Sequence, residues 1–518
     1  MARTKKLVAE DTDPPEWFDP WISSKLYIPE HPSYTSKILN KHVLIDSFVH
    51  PKHSSTLEMD WIEQSKPSRD EKKVKNYQNS INKTQDLLRS CTDPKEMKTL
   101  QTKLKCLLTK NKKQEVNKNK ITKTLTIGLP LSKEQHRIVS RWYDECLMVY
   151  NTCLDFKVNQ KVPNEILYDM KSLRASVFDH LFVTPNIKKQ ACYETLGDEI
   201  RSFLSNLKSC NTCMERKVIK HYTQKPRSLK NNRSLMVRGT AIGPKGLFPD
   251  KLGAIRGWSK IYKDILLVCG ESTRFCDSRL IYDSVTKRYT LNIPYYSDQV
   301  EVLNRKQVVT LDPGEKIFQT YYSPEESGRI GHDVRLTILQ EEKKIRRLER
   351  IINRKKNKKG EKLQNPKAIK RRIQLKYNKI RNIVSELHHQ TSKFLTDNYS
   401  RIYIPPFETQ QMVRNERKKT DTLFNKKEYK RKGRLNKRVK FVLNSLSHYR
   451  FRQHLLNKCK EKGCKIELIN ESYTSLCCGN CGLKSKSYNN RVKSCSCGCK
   501  IDRDLNGSRN IFIKMLTS

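Results

Sequence analysis

The stretch that decides the fold of this chain is Cys478-Gly-Asn-Cys481, followed by Cys495-Ser-Cys497-Gly-Cys499 and then by an acidic segment, Asp502-Arg-Asp504-Leu-Asn506. Thiolates drawn from two close groups of cysteines match the ligand set of a tetrahedral structural zinc site. The acidic segment follows at once and runs into a helix-forming sequence. The pattern therefore predicts a small zinc ribbon that delivers a carboxylate to one fixed place at the start of the last helix.

Asp312 occupies a second acidic position far upstream of the cysteines, in Val308-Val-Thr-Leu-Asp312-Pro-Gly314. The apolar run before it predicts a buried strand, and residues 317–322 predict a second strand that forms a hairpin with it. An isolated Asp-Pro-Gly is typical of a turn, so the order of the acidic motifs around the cysteines carries the prediction. That order resembles the split active site of the TnpB nucleases of bacterial insertion sequences and of their eukaryotic and viral relatives, the Fanzor proteins.

This resemblance covers residues 122–518 and implies an α/β fold. It implies an RNase H-like (RuvC) nuclease domain with an inserted zinc ribbon, preceded by a β-rich wedge and a helical recognition region. Asp312 and Asp504 match the first and third acidic motifs of the family. By the resemblance they are ligands of catalytic Mg²⁺, with Mn²⁺ as a substitute, and carboxylate oxygens suit both ions.

The third carboxylate must come from an unusual place. Aligning Met412 with the family methionine puts Pro405 where TnpB proteins have a glutamate, and a proline cannot bind a metal. Glu471 follows the strand next in order, where neighbouring strands of a sheet end close together, and Fanzor-like chains resemble this one in having a glutamate before Tyr-Thr-Ser. We predict that Glu471 completes the catalytic metal site. The alternatives are a pocket that has lost activity, or one of two other glutamates, Glu408 and Glu467.

The cysteine pattern departs from the family in its second pair, which is compressed to Cys-x-Cys. We predict that structural zinc is bound by Cys478, Cys481, Cys495 and Cys497. Cys499 is an alternative to Cys497 as the fourth ligand. Cys210 and Cys213 are also spaced as a pair, but no second pair lies near them, so we expect ordinary thiols on a helix.

The composition indicates a polyanionic partner. Among 518 residues, 104 Lys and Arg stand against 54 Asp and Glu, a formal net charge of +50. Such a charge repels itself unless counterions or a polyanion offset it, so nucleic acid is the expected partner. Seventeen cysteines in a long, lysine-rich chain without a sequence resembling a signal peptide favour a reducing compartment. No apolar run is long enough to span a bilayer.

Changes in composition and hydrophobic pattern along the sequence predict five segments. Residues 1–121 form a basic N-terminal extension, partly disordered or helical, and 122–300 form the wedge and helical recognition region. Residues 301–475 form the first part of the nuclease domain, with a helical hairpin at 333–398. Residues 476–500 form the zinc ribbon, and 501–518 hold the last nuclease motif and helix.

Local patterns predict three features inside these segments. Ser132-Lys-Glu-Gln135 predicts a capping box at the start of a helix, and residues 279–282 predict a β-hairpin with residues 289–293. The hairpin at 333–398 carries basic faces opposite its apolar stripes. We predict that these faces contact nucleic acid through Arg346, Arg347, Arg350, Lys370, Arg371 and Arg372.

The resemblance implies an RNA-guided DNA endonuclease of mobile-element origin. A guide RNA would select double-stranded target DNA that carries a short adjacent motif read by the protein. We expect a monomeric ribonucleoprotein without a membrane partner, with structural Zn²⁺ and catalytic Mg²⁺. It would act in the nucleus if the host is eukaryotic or the source is a eukaryotic virus, and in the cytoplasm otherwise. Two alternatives remain open: a nuclease-inactive, RNA-guided DNA-binding regulator, and a protein-only transposase or resolvase.

Overall fold

The computed structural model describes residues 14–30, 32–40, 43–51, 69–90, 93–116, 120–182, 191–216, 219, 221–228, 233–270, 275–353, 365–413, 435–484 and 491–517. The chain forms two compact units. Residues 1–119 and 298–518 together make the first unit, and residues 120–297 make the second. The second unit is therefore an insertion in the sequence of the first.

The N-terminal segment belongs to the first unit. Its helices and strands are α1 Pro20–Lys25, β1 Thr35–Asn40, β2 Val43–Val49, α2 Arg69–Ser90 and α3 Pro94–Val116. The two long helices agree with the helical part of the expected extension. The strands β1 and β2 differ from it, because β2 pairs with a strand of the main sheet rather than standing apart. Buried apolar side chains on β2, Val43 and Ile45, give it a face that packs into the core of that sheet.

The second unit is built from a four-stranded sheet and six helices among its described residues. In chain order these are β3 Lys120–Leu129, α4 Lys133–Val158, α5 Asn164–Tyr168, α6 Met170–Phe182, α7 Tyr193–Glu215, β4 Arg233–Val237, β5 Ile242–Gly243, β6 Gly246–Leu247, α8 Pro249–Leu252, α9 Trp258–Cys269, β7 Ser278–Asp283 and β8 Arg288–Asp298. The sheet order is β3-β8-β7-β4, and β5 pairs with β6. The unit has its own apolar core.

Two local predictions in this unit are confirmed. Ser132 Oγ accepts the Gln135 N–H at 3.1 Å while Gln135 Oε1 accepts the Ser132 N–H at 2.9 Å, which is a complete capping box. The strands β7 and β8 pair antiparallel, with Tyr282 opposite Tyr289, as the predicted hairpin requires. Cys210 and Cys213 lie on α7, on a helix as expected.

The remaining elements return to the first unit. They are β9 Lys306–Pro313, β10 Gln319–Tyr322, β11 Glu326–Ile330, α10 Val334–Asn353, α11 Pro366–Asn398, β12 Tyr399–Ile404, α12 Thr409–Val413, α13 Lys437–Leu446, α14 His448–Lys462, β13 Lys465–Leu468, β14 Val492–Ser494, β15 Lys500–Asp502 and α15 Arg503–Thr517. The helices α10 and α11 form the arms of the predicted hairpin. Residues 354–364 between them lie outside the described residues.

A seven-stranded mixed sheet organises the first unit, in the order β1-β2-β11-β10-β9-β12-β13. The first five strands in this order, which end with β9, pair antiparallel. In contrast, β12 is parallel to β9 and β13 is parallel to β12. The chain is therefore an α/β protein, as predicted. Because β9, β12 and β13 run in one direction, their carboxyl ends meet at the same edge of the sheet.

Alternating side chains of β9 serve two cores. Val309 and Leu311 join a core formed with α10, α11, α13 and α14, whereas Val308 joins a second core with Ile511 and Phe512 of α15. A strand that is apolar on both faces is buried between two layers, which explains the continuous run Val308–Leu311. Among the described helices, none combines the length and the apolar composition needed to cross a membrane.

Candidate metal centres

Asp312 lies near the carboxyl end of β9, against the N-terminal half of α15. Thr310, two residues earlier on the same strand, donates from Oγ1 to the Ser508 carbonyl at 2.9 Å, so the strand and the helix are in direct contact. Gly507 permits this approach, because a Cβ at that position would collide with Oδ2 of Asp312. The absence of a side chain at Gly507 therefore leaves room for the carboxylate.

Asp504 stands in the first turn of α15, and Asp502 caps that helix. Oδ1 of Asp502 accepts the N–H groups of Asp504 at 2.9 Å and of Leu505 at 3.3 Å. A side-chain oxygen that accepts these otherwise unpaired amides is the usual N-cap interaction. Asp502 is thus accounted for by helix capping, and Asp504 is the aspartate of this segment that extends the carboxylate centre.

Arg491 bridges the two aspartates. Its Nε donates to Asp502 Oδ2 at 2.6 Å and its Nη1 donates to Asp504 Oδ2 at 2.7 Å. Burial lowers the pKa of this guanidinium, but the charges of Asp504 and Asp502 outweigh burial and raise it. Reasoning from the sequence did not single out Arg491. The only local signal was a basic residue placed between the two cysteine pairs, which many surface residues share.

Glu471 follows β13 and reaches the same centre. Burial raises its pKa above the ordinary value. The pKa of Asp312 is raised much further, first by burial and then by the negative charges of Asp504 and Glu471. Neighbouring charges shift a pKa when they lie in the same region of a protein. Asp504 and Glu471 therefore lie in the same region of the first unit as Asp312, although the three residues come from separate parts of the sequence.

The other two candidate glutamates are differently placed. Glu408 is exposed and accepts a hydrogen bond from Gln411 Nε2, one turn further along the same segment. Glu467 is exposed on β13, where its charge adds to burial in raising the pKa of Tyr403. The charges that most raise the pKa of Asp312 come from Asp504 and Glu471 rather than from these two. Pro405 follows β12 directly and is buried.

The four predicted cysteines form a second cluster. The sulfur atoms of Cys478, Cys481, Cys495 and Cys497 all lie within 4.8 Å of one another. Within the described ranges, this is the only group of three or more Cys, His, Asp or Glu ligand atoms gathered so tightly. Four thiolates at this separation suit a tetrahedral metal such as zinc. Cys499, the alternative ligand, is buried beside this cluster but is not one of its four members.

Hydrogen bonds favour the ionised form of Cys478, whereas burial raises the pKa of Cys481 and of Cys495. Hydrogen bonds from the Cys499 thiol and from the backbone amides of Cys481 and Asn480 lower the pKa of Cys478. Lys493 is 5% exposed and its Nζ donates to the Leu476 carbonyl. A buried ammonium close to several thiolates offsets part of their charge, and such surrounding groups tune a metal site.

Two asparagines on α15 bind the cysteine segment through hydrogen bonds. Asn506 accepts the Gly479 N–H at 2.7 Å and donates to the Cys477 carbonyl at 2.8 Å. Asn510, one turn later, donates to the same carbonyl at 3.0 Å and to the Thr474 carbonyl at 2.8 Å. Two amide side chains thus form hydrogen bonds with backbone groups just before and within the first cysteine pair. In the sequence, the signal for this contact is the spacing of the two asparagines by four residues, which places both on one face of a helix.

Arg509 joins the same helix to the N-terminal segment. It is fully buried, and it donates to the carbonyls of Ser23 at 2.7 Å, Leu26 at 3.0 Å and Tyr27 at 3.1 Å. A further hydrogen bond goes to the Gly479 carbonyl. Carbonyl oxygens satisfy a guanidinium without neutralising its charge, and burial accordingly lowers the pKa of Arg509. One side chain thereby connects α1, the cysteine segment and α15.

The predicted nucleic-acid contacts lie on exposed faces of α10 and α11. Arg346 Nε donates to Glu342 Oε1 at 2.7 Å, and Glu342 is itself buried. The buried Glu341 beside it binds Lys344, Lys376 and Lys379. These two carboxylates organise basic side chains of the hairpin. The six predicted residues are all exposed: Arg346, Arg347, Arg350, Lys370, Arg371 and Arg372.

Comparison with known proteins relates the chain to TnpB-like and Cas12f1-like proteins. A family model described as the Cas12f1-like TNB domain matches residues 448–511, which span α14, β13, the cysteines and the first half of α15. TnpB-like protein L770 of Acanthamoeba polyphaga mimivirus is 26% identical over 407 residues, covering 74% of this chain and 71% of that protein. Putative transposase A625R of Paramecium bursaria Chlorella virus 1 is 24% identical, covering 78% of this chain and 89% of the relative.

TnpB-like protein MJ0751 of Methanocaldococcus jannaschii is 25% identical over 236 residues, covering 45% of this chain and 78% of that protein. Among solved structures, the cryo-EM structure of the Cas12f1-sgRNA-target DNA complex has a TM-score of 0.40 and 12% identity. It covers 76% of this chain and 99% of the other.

The fold and the matched residues define an α/β protein with a Cas12f1-like TNB domain. More particularly, the chain is similar over about three quarters of its length to proteins described as TnpB-like, the resemblance that the order of its motifs indicated.

Proposed function

We propose that this protein is an RNA-guided DNA endonuclease that hydrolyses phosphodiester bonds at a metal site formed by Asp312, Glu471 and Asp504. The observation that carries the proposal is the convergence of these three carboxylates. They come from β9, from the turn after β13 and from the first turn of α15. All three residues are partly buried, and a bound cation is the simplest reason for a basic protein to gather negative charges in this way.

The sheet supports an RNase H-like (RuvC) architecture. An antiparallel series, β9, β10 and β11, is followed through helices by β12 and β13, which run parallel to β9. This is the succession of strands and helices expected for such a nuclease, with a cysteine segment before the last helix. Asp312 and Glu471 then lie at or just after the carboxyl ends of parallel strands, where α/β sheets usually place their active sites.

The donor set fits Mg²⁺ or Mn²⁺. All three side chains offer carboxylate oxygen, which these hard cations prefer. Burial and mutual repulsion raise the pKa of Asp312, so a cation beside it would restore the ionised form. Bound divalent metal would supply Lewis-acid stabilisation of the phosphate and lower the pKa of an attacking water. The protein contributes the fixed position of Asp312 against Gly507, and the contact of Arg491 with Asp504.

The four-cysteine cluster fits structural zinc, and we assign it to Cys478, Cys481, Cys495 and Cys497. The closed set of four sulfur ligands supports a structural rather than a catalytic role, because catalytic zinc keeps an open position. Through Asn506, Asn510 and α15, this ribbon would hold Asp504 in register with Asp312.

Guide RNA and target DNA follow from charge and family. The net charge of +50 and the exposed basic faces of α10 and α11 support binding of nucleic-acid backbones. In TnpB-type recognition as the family resemblance implies it, guide pairing reads the target sequence and the protein reads a short adjacent motif. We propose a monomeric ribonucleoprotein of this kind.

The test is cleavage of a DNA target by purified protein carrying the RNA that copurifies with it. Glu471→Gln keeps the shape of the side chain and removes its charge, so cleavage in Mg²⁺ should fall by about 10³-fold or more while RNA binding persists. Asp312→Asn should behave alike. Glu408→Gln is the matched control and should cut nearly as the wild type does. A dead Glu408→Gln beside an active Glu471→Gln would move the third ligand to the segment after β12.

A second function is favoured by Pro405, which stands where the family has a glutamate. A nuclease-inactive, RNA-guided DNA-binding regulator would bind its target through the same basic faces and leave the DNA intact. Wild-type protein that binds guided DNA but never cuts it with Mg²⁺ or Mn²⁺ would support this alternative over the endonuclease.

A further inference from the structure

Tyr473 is an exposed aromatic residue with an unusual backbone conformation. Its backbone φ is +69°, in the left-handed region that large side chains seldom adopt, and the residue is 56% exposed. A buried tyrosine could be held in such a conformation by packing, but this one faces solvent. Unfavourable conformations of this kind persist where the surrounding structure imposes them, and they concentrate at functional sites.

The surrounding hydrogen bonds show what imposes the conformation. The Glu471 carbonyl accepts the N–H of Thr474 at 3.3 Å and its Oγ1 at 2.8 Å. The Tyr473 carbonyl accepts the N–H groups of Leu476 at 3.0 Å and of Cys477 at 3.1 Å. Residues 471–477 are therefore a tightly bonded turn that leads from a carboxylate of the centre to the first cysteines. The turn fixes the direction in which the Tyr473 side chain leaves the backbone.

The same turn borders the carboxylate centre. Glu471 lies at the beginning of the turn, and its negative charge helps to raise the pKa of Asp312. Ser475 lies near its end, with Oγ 3.7 Å from the point where a Cβ on Gly507 would stand, which is the point that collides with Asp312. Tyr473 lies between these two residues. Tyr473 accordingly belongs to the turn that carries Glu471 and is two residues from that carboxylate.

A cation accompanies the ring. Lys484, from the segment after the first cysteine pair, places Nζ 5.9 Å from the centroid of the Tyr473 ring. An exposed aromatic face and an adjacent ammonium suit the two parts of a nucleotide, its base and its phosphate. A protein partner would be a less natural occupant, since the chain carries a net charge of +50.

We propose that Tyr473 is a positioning residue that stacks on a nucleobase of the single DNA strand being cut, next to the scissile phosphate, with Lys484 near the neighbouring phosphate. This inference rests on the proposed nuclease function and adds the feature that orients the strand. Stacking on an aromatic side chain is tolerant of sequence, which suits an enzyme whose target is chosen by a guide.

The test uses the full-length ribonucleoprotein and a single-stranded DNA that carries 2-aminopurine beside the cut position. Without divalent metal, the wild type and Tyr473→Phe should quench 2-aminopurine fluorescence, and Tyr473→Leu should not. In Mg²⁺, Tyr473→Leu should cut about tenfold to a hundredfold more slowly. Tyr449→Leu is the matched control, because Tyr449 is exposed beside Arg452 on α14, an element that supplies no carboxylate to the centre.

A second variant separates positioning from folding. Tyr473→Gly suits a positive φ, so its melting temperature and zinc content should equal or exceed those of the wild type while cleavage falls. Loss of zinc or a lower melting temperature in Tyr473→Gly would overturn the proposal in favour of a structural role. Normal quenching by Tyr473→Leu would also overturn it. If the wild type never cuts but its quenching depends on Tyr473, the nuclease function fails and the stacking site stands.

Discussion

The cysteine cluster and the carboxylate centre are neighbours along the chain, yet they are assembled in different ways. The four sulfurs come from residues 478–497 and lie within 4.8 Å of one another. The carboxylates come from residues 312, 471 and 504, and only the folded sheet brings them together. Ligands from one short stretch can be identified from their spacing, whereas ligands from distant strand ends depend on strand order.

The two centres also differ in how their charge is compensated. The cysteine cluster has the buried ammonium of Lys493 and several backbone amides around it. In the carboxylate centre, Arg491 pairs with Asp502 and Asp504, while burial and neighbouring charge keep the pKa of Asp312 raised. The cysteine cluster resembles a closed structural site. The carboxylate centre keeps negative charge that a catalytic cation would neutralise.

The largest expected effect comes from dismantling the cysteine cluster. Cys478→Ser combined with Cys481→Ser should release about one zinc per chain, lower the melting temperature and abolish cleavage. Zinc binding contributes on the order of 10 kcal/mol to folding in small zinc domains, so its loss should release the helix that carries Asp504. Metal analysis and thermal melting measure the outcome. Cys210→Ser with Cys213→Ser is the control, and stoichiometric zinc retained in the first double mutant would contradict the assignment.

A smaller and more selective effect is expected at the carboxylate centre. Gly507→Ala adds a methyl group that must displace the Asp312 carboxylate, so cleavage should fall by roughly 10²-fold. Alanine favours a helix over glycine by about 0.5–1 kcal/mol, which limits any loss of stability, and zinc content should stay unchanged. Gly128→Ala, which meets no atom within 4 Å, should be silent. Equal loss of zinc and activity in Gly507→Ala would show that the two centres cannot be separated.

The smallest expected effect is the pH dependence of the unfolding free energy, and it concerns two buried histidines of the first unit. Burial lowers the pKa of His388 to about 4 and of His448 to about 3, and both rings stack on Phe318. Both histidines are neutral in the folded protein but bind protons near pH 6.5 when it unfolds. Their stabilisation is therefore complete above about pH 6.5 and is lost as pH falls towards 4, by roughly 1.4 kcal/mol per pH unit for each histidine.

Urea unfolding of the full-length protein between pH 7 and pH 5 measures this dependence. His448→Phe removes one of the titrating groups, so its unfolding free energy should fall less steeply with pH than that of the wild type. An unchanged slope in His448→Phe would assign the acid sensitivity to other groups, such as the thiolates of the cysteine cluster.

Local patterns were predictable from the sequence, and contacts across the sheet were not. The strand ending at Asp312 and the capping box at Ser132 were predictable because each depends on a few adjacent residues. The pairing of β2 with β11 joins residues far apart, and no periodicity in residues 43–49 names its partner. Arg491 was missed for the same reason, since its role depends on where Asp502 and Asp504 lie after folding. Glu471 stays a prediction, and it could be named from the sequence because strand order, once inferred, constrains which strand ends meet.

The buried Arg509 has a consequence for the time course of synthesis. Its guanidinium binds the Tyr27 carbonyl, a partner 482 positions earlier in the chain. At about 5–20 residues per second, a ribosome would need roughly 25 to 100 s to produce one after the other. Throughout that interval α1 lacks its partner, and in the later part of it residues 120–297, the second compact unit, are already complete. The carboxylate centre therefore cannot form before α15 has left the ribosome, and on the proposed function a nascent chain would not cut DNA before that point.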